Sequence, residues 1–85
     1  MNPRKLLARL TRGNLANVAF ADVESLLAGF GFQLARVQGS HHIFKNPTIP
    51  ELLNLQDVGG QAKPYQIRQF LRLVERYDLR LEEKA

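Results

Sequence analysis

The chain has 85 residues, of which 45% are apolar and 24% charged, and these values are typical of one small folded domain rather than of a disordered segment. It has no cysteine, which excludes a disulfide scaffold, a thiolate zinc site and a cysteine nucleophile. The net charge is +4, and the basic residues concentrate in segments 1–20 and 63–76, a distribution that suits a polyanionic partner such as nucleic acid.

The sequence shows no sign of a membrane protein. No apolar run has the length of a membrane span, and the first residues lack the long apolar centre of a signal peptide. We therefore expect a soluble, cytoplasmic protein with no membrane partner.

Two helices are predicted in the first third of the chain. Asn2 is a suitable N-cap, Pro3 suits the first helical position, and leucines then repeat at helical spacing to about residue 12. Apolar residues repeat at the same spacing over 20–30, which predicts a second helix.

Three strands are predicted next. Residues 32–38 alternate apolar and polar side chains, as a half-buried strand does, and Gly39-Ser40 predicts a tight turn into a second strand over 41–45. A third strand is predicted over 51–56, where Leu53 and Leu55 share one face.

A long final helix is predicted from Pro64 to about Tyr77, after a loop that contains Gly59-Gly60 and Lys63. We expect its core stripe to be Ile67, Phe70, Leu71 and Val74, and its exposed side to carry a continuous basic ridge of Arg68, Arg72 and Arg76. Residues 79–85 are mixed and charged, and we expect them to fray.

The element order predicts an α+β fold of two layers. Without the first helix the order is α-β-β-β-α, with both helices on one face of a small antiparallel sheet, as in a double-stranded-RNA-binding domain. We expect one domain over 1–85, with an N-terminal helical extension at 1–19, a core at 20–78 and a tail at 79–85. The five phenylalanines are assigned to the core: Phe20, Phe30, Phe32, Phe44 and Phe70.

The two histidines are adjacent, so in a strand they point to opposite faces and are unsuited to sharing a metal. Imidazole can instead take and return protons, and RNA carries its own nucleophile in the ribose 2′-hydroxyl. Cationic candidates for the phosphate charge are Arg36, Lys45 and Lys63. Gly39 permits close approach of a phosphate to the backbone, and the Ser40 hydroxyl can hydrogen-bond to it.

Other interpretations of these residues are ordinary ones. His41 can be a polar surface residue, His42 can pack beside Phe44 on the same strand face, and the arginine ridge can be a solvated helix face.

The segment from Gly39 to Phe44, read as Gly-Ser-His-His-Ile-Phe, resembles the HicA toxins of bacterial toxin–antitoxin systems. The likeness continues through Asn46-Pro47 and the Lys63-Pro64 entry to the last helix, and covers about residues 20–78. It implies a fold similar to double-stranded-RNA-binding domains, an mRNA-cleaving activity without a cofactor, and a HicB-like antitoxin that covers the active site. It also implies that His41, directly after Gly-Ser, is the catalytic histidine.

The chain departs from the family pattern in two places. Many relatives carry another histidine near the end of the third strand, where this chain has Val58. The first helix is additional to the family core, and it is a candidate contact for RNA or for a partner protein.

The leading hypothesis is a toxin-type, metal-independent RNA endonuclease with His41 as general base or acid. Gly39 and Ser40 would shape the site, and the mRNA phosphates would contact further basic residues: Lys45, Lys63, Arg68, Arg72 and Arg76. Two alternatives remain open, which are a non-catalytic RNA-binding module and a protein-interaction module with an acidic partner.

Overall fold

The computed structural model describes residues 1–82, and within them the elements follow the predicted α+β order. Four antiparallel strands form one sheet in the order β1-β2-β3-β4. The elements are α1 (Pro3–Thr11), α2 (Phe20–Gly29), β1 (Gln33–Gln38), β2 (His41–Lys45), β3 (Leu53–Val58), β4 (Gln61–Ala62) and α3 (Pro64–Arg76).

The third strand differs from its prediction. It begins at Leu53 rather than residue 51 and continues to Val58, and the Gly59-Gly60 segment is a turn into β4, a strand that was predicted as loop. The alternation within β3 is confirmed, because Leu53 and Leu55 are buried. β4 has only two residues, too few to give a recognisable alternation.

The helices cover one face of the sheet, here called the inner face, and the other is the outer face. All five phenylalanines are buried, as predicted. The apolar stripe of α3 includes Ile67 and Phe70 as predicted, but its third buried member is Leu73, and Leu71 and Val74 lie half-buried at its border.

Helix α1 shares this core. The Asn2 side chain caps it by accepting the Arg4 backbone N–H at 2.8 Å, and Pro3 occupies its first turn, both as predicted. Leu6 and Leu10 are each 1% exposed and belong to the same cluster of buried side chains as α2. The helix therefore contributes to the hydrophobic core.

The first strand was predicted to be half-buried, and this is wrong. All six residues of β1 are exposed because β1 is an edge strand that the helix layer leaves uncovered. Its register also shifts between Leu34 and Arg36, so Ala35 is an extra residue in a β-bulge.

The predicted fraying of the tail is contradicted as far as Glu82. The Glu82 backbone N–H donates to the Gly29 carbonyl at 2.8 Å, and Leu79 and Leu81 pack against the core. The glycine leaves room for this contact, since a Cβ at position 29 would lie 2.5 Å from the Leu81 side chain. The rest of the predicted tail, 83–85, lies outside the described residues.

Asn46 fixes the end of β2 to the end of α2. Asn46 is 4% exposed, and its side-chain N–H donates to the Phe30 backbone carbonyl at 3.0 Å. Its side-chain oxygen Oδ1 accepts the Thr48 backbone N–H at 3.0 Å and the Thr48 hydroxyl at 2.8 Å. This buried amide orders the connection that leads from β2 to β3.

We predict that Leu10→Ala lowers the free energy of unfolding by about 2–5 kcal/mol, because it leaves a cavity beneath α1. Urea denaturation measures the loss, with Leu7→Ala as the control on the same helix, where the side chain is only half-buried. Equal, small losses for the two variants would show that α1 does not share the core.

Candidate active site on the outer face of the sheet

The two histidines of β2 have different surroundings, as strand alternation predicts. The His42 ring lies on the inner face, half-buried, with its centroid 4.6 Å from that of Phe20. Its Nδ1 lies 3.2 Å from the Ser40 carbonyl oxygen, which can only accept, so Nδ1 carries the proton. His41 is exposed on the outer face, and of the two rings it is the one that a large substrate can reach.

The turn before His41 is a two-residue hairpin loop. Gly39 has φ of +57°, in the left-handed region that glycine adopts without strain, and Ser40 follows it. The Ser40 carbonyl accepts the Asp57 N–H at 2.9 Å, which ties the turn to β3. Gly39 and Ser40 therefore lie beside His41, as predicted from the sequence.

Asn54 holds the His41 ring. Its Oδ1 lies 3.2 Å and its Nδ2 3.1 Å from His41 Nδ1, so the amide can accept from a protonated Nδ1 or donate to an unprotonated one. The other ring nitrogen, Nε2, has no hydrogen-bond partner within residues 1–82. The arrangement orients the imidazole in either protonation state and leaves Nε2 open for proton transfer.

Two glutamines flank His41 across the sheet. Gln38 on β1 and Gln56 on β3 are its direct cross-strand partners, so their side chains share its face. Gln66 of α3, which is 2% exposed, accepts the Gln56 backbone N–H at 2.7 Å and donates to Gln56 Oε1 at 3.1 Å. The buried amide of Gln66 therefore fixes the β3 side of the site.

The bulge in β1 brings a cation to this face. Leu34 pairs with Phe44 of the inner face, and without a bulge Arg36 would share that face. Because Ala35 is the extra residue, Arg36 instead pairs with Ile43, which shares the outer face with His41. Arg36 and Asn54 thus lie on either side of Ile43, each diagonal to His41.

The two predicted lysines lie at different distances from His41. Lys63 directly follows β4, and the register of β4 against β3 places it beside Gln56. Gln56 is in turn beside His41, so Lys63 is two strands away from His41, a backbone distance of about 10 Å. Lys45 shares the outer face but lies four residues along β2, about 13 Å away. Lys63 is therefore the nearer of the two to the imidazole.

The three arginines of α3 are not brought to His41. All are exposed, but α3 packs on the inner face, and Arg68 lines a groove with Leu10 of α1 while Arg72 lines a second groove beside Leu53. Arg76 lies in that second groove and forms an ion pair with Glu51 at 3.2 Å. The predicted ridge is thus divided between two grooves.

Sequence reasoning missed Asn54 and Gln56 as site residues. The shared face of Leu53 and Leu55 was predicted, but the register of β3 against β2 depends on the connection over 46–52, which carries no register signal. Val58, where the resemblance predicts a departure from the family pattern, is exposed at the end of β3 and pairs with Gln61.

The fold and the hairpin define a class of small α+β domains with a histidine on the open face of the sheet. Residues 20–75 match the family model of the HicA toxin of bacterial toxin–antitoxin systems, and the chain belongs to this family. Searches of curated proteins and of solved structures gave no significant match. Helix α1 precedes the matched range, and no helix within residues 1–82 has the length and apolar character needed to cross a membrane.

Tyr77 and Glu51 form a pH-sensitive contact beside Arg76. The Tyr77 hydroxyl donates to Glu51 Oε1, and this hydrogen bond raises the pKa of Tyr77, with partial burial and the charge of Glu51 acting in the same direction. A raised pKa means that the contact stabilises the fold below the unfolded-state pKa of about 10 and is lost as the pH rises through the folded-state value.

We predict that Tyr77→Phe lowers stability at pH 7 and that the difference from wild type shrinks at pH 11. Urea denaturation of both proteins at the two pH values measures it, with Tyr65→Phe as a control that leaves the Glu51 contact intact. A stability difference between wild type and Tyr77→Phe that stays the same at both pH values would show that the Tyr77–Glu51 hydrogen bond is not the cause.

Proposed function

We propose that the protein is an RNA endonuclease that cleaves mRNA by acid–base catalysis at His41. The observation that carries the proposal is the exposed His41 ring, with Nδ1 held by Asn54 and Nε2 open on the outer face. Membership of the HicA toxin family supports it. An open sheet face also suits a polymer, which cannot enter a closed pocket.

The reaction uses the nucleophile that RNA supplies. Nε2 of His41 takes the proton of a ribose 2′-hydroxyl, the 2′ oxygen forms a bond to the adjacent phosphorus, and the bond from phosphorus to the 5′ oxygen breaks. The departing 5′ oxygen takes up a proton from solvent. The products are a 2′,3′-cyclic phosphate and a 5′-hydroxyl, and no step requires a divalent metal, so cleavage continues in excess EDTA.

Cations on both sides of His41 stabilise the charge that builds on the phosphate. Arg36 approaches from β1 and Lys63 from the end of β4, and the Gly39-Ser40 turn offers backbone and hydroxyl contacts. Lys45 contacts a phosphate farther along the strand. Arg68 and Arg72 add salt-sensitive contacts where a long RNA continues past β3, with Arg76 in a lesser role because Glu51 neutralises it.

The proposed protein partner is a HicB-like antitoxin that covers the outer face and blocks access to His41 in the cytoplasm. Co-expression with the protein encoded by the adjacent gene tests this. We expect a stable complex in which RNA cleavage is suppressed.

We predict that His41→Ala lowers the single-turnover cleavage rate by about 100-fold to 10,000-fold, the usual contribution of a positioned acid–base group. His42→Phe is the matched control, because a phenyl ring preserves the packing on Phe20 and we expect it to retain cleavage. Denaturing gels with a long single-stranded RNA measure both rates.

Equal cleavage by wild type and His41→Ala would refute the catalytic assignment. RNA binding without cleavage by the wild-type protein would instead favour a non-catalytic RNA-binding module, an interpretation to which the valine at position 58 lends support.

We predict that Arg36→Gln and Lys63→Gln each lower the single-turnover rate by about 10-fold to 100-fold, because each removes a charged partner of the phosphate. Lys45→Gln is the control on the same face and should have a smaller effect because of its distance. Loss at Lys45 equal to the loss at Arg36 would show that general attraction, rather than placement beside His41, is responsible.

A further inference from the structure

Tyr65 is an exposed aromatic side chain with no role in the core. Tyr65 is 51% exposed, whereas every phenylalanine is buried and Tyr77 is half-buried. Within residues 1–82 Tyr65 is therefore the only exposed phenylalanine or tyrosine. A large aromatic surface left in water at one fixed place is a candidate binding surface.

The position of Tyr65 is fixed relative to His41. Gln66 Nε2 lies 3.3 Å from the Tyr65 hydroxyl and 3.1 Å from Gln56 Oε1, and Gln56 is the direct cross-strand partner of His41. Since Gln66 is buried, one ordered amide links the aromatic side chain to the strand beside the candidate catalytic residue. Tyr65 therefore borders the site on its β3 side.

A cation accompanies the ring. Lys63 Nζ lies 5.9 Å from the centroid of the Tyr65 ring, and the ammonium group has no carboxylate partner within residues 1–82. An aromatic ring with an ammonium group over one of its faces, and no counter-ion on that group within residues 1–82, matches the two parts of a nucleotide, which are a flat base and a charged phosphate.

We propose that Tyr65 is a stacking platform for one unpaired base of single-stranded RNA, next to the nucleotide that His41 attacks, with Lys63 on the adjoining phosphate. This inference rests on the proposed RNA-cleaving function and extends it to the substrate class. A base in a duplex is already stacked and cannot lie on the ring, so the platform selects single-stranded over double-stranded RNA. The single-stranded RNA substrate proposed here therefore differs from the duplex RNA that the similarity to double-stranded-RNA-binding domains suggests.

The test measures the affinity of a fluorescent single-stranded RNA by anisotropy in the His41→Ala background, where the RNA stays intact. Loss of one stacked base predicts that Tyr65→Ala weakens binding by about 5-fold to 100-fold. Tyr65→Phe keeps the ring and should bind within about 3-fold of the parent, because the stacking surface is unchanged. Leu52→Ala is the matched control, since Leu52 is 63% exposed and directly precedes β3, four residues before Gln56, the residue that Gln66 links to Tyr65.

A second measurement separates stacking from a structural effect. A series of RNAs is made, each with one abasic nucleotide at a different position. At the position that stacks on Tyr65, removal of the base should weaken binding by the parent but should not further weaken binding by Tyr65→Ala. The parent should also bind the single strand more tightly than a duplex of the same sequence, and Tyr65→Ala should lose most of this preference.

Each outcome decides between the hypotheses. Equal RNA affinity of the parent and Tyr65→Ala overturns the platform and leaves the RNA-cleaving function standing. Equal losses for Tyr65→Ala and Leu52→Ala also overturn it, because an unspecific surface effect would then explain both. Failure of the parent to bind RNA, together with failure of the wild type to cleave it, overturns the RNA function and the platform together.

Discussion

The site depends on the register between β2 and β3. Phe44 pairs with Leu53 and His42 with Leu55, so burial of these inner-face side chains allows only one alignment of the two strands. A slip of one residue would turn His41 into the core and expose Phe44, at the cost of buried apolar surface. The same hydrophobic contacts that hold the sheet under the helices therefore place Asn54 against His41 on the outer face.

Two further features, one in β1 and one at the edge of β3, complete the surface around His41. The bulge at Ala35 moves Arg36 to the outer face, and buried Gln66 bonds to Gln56 at the β3 edge, next to the short β4 strand. The site is thus a polar surface on an open sheet, with an oriented imidazole at its centre and cations on both sides. Its electrostatics suit an extended anionic polymer, and the proposed contact with Tyr65 adds a preference for unpaired bases.

Much of this arrangement could be predicted from the sequence, because it depends on local signals. The three helices have clear apolar periodicity, Gly39-Ser40 marks the hairpin, and strand alternation separates His41 from His42. The exposed state of β1, the bulge and the register of β3 could not be predicted, because they depend on which elements cover which strand. The docking of Leu81 over Gly29 has the same origin, since a long-range contact leaves no periodic pattern in a short tail.

The central claim is that the exposed imidazole of His41 activates the hydroxyl of the RNA itself. The most direct measurement uses a short RNA with one mapped cleavage position and a matched RNA with a single 2′-deoxy sugar on the 5′ side of that bond. We expect the wild-type protein to bind both RNAs equally and to cleave only the unmodified one, to a 2′,3′-cyclic phosphate and a 5′-hydroxyl. Cleavage of the deoxy-substituted RNA at the same position and a similar rate would contradict the central claim.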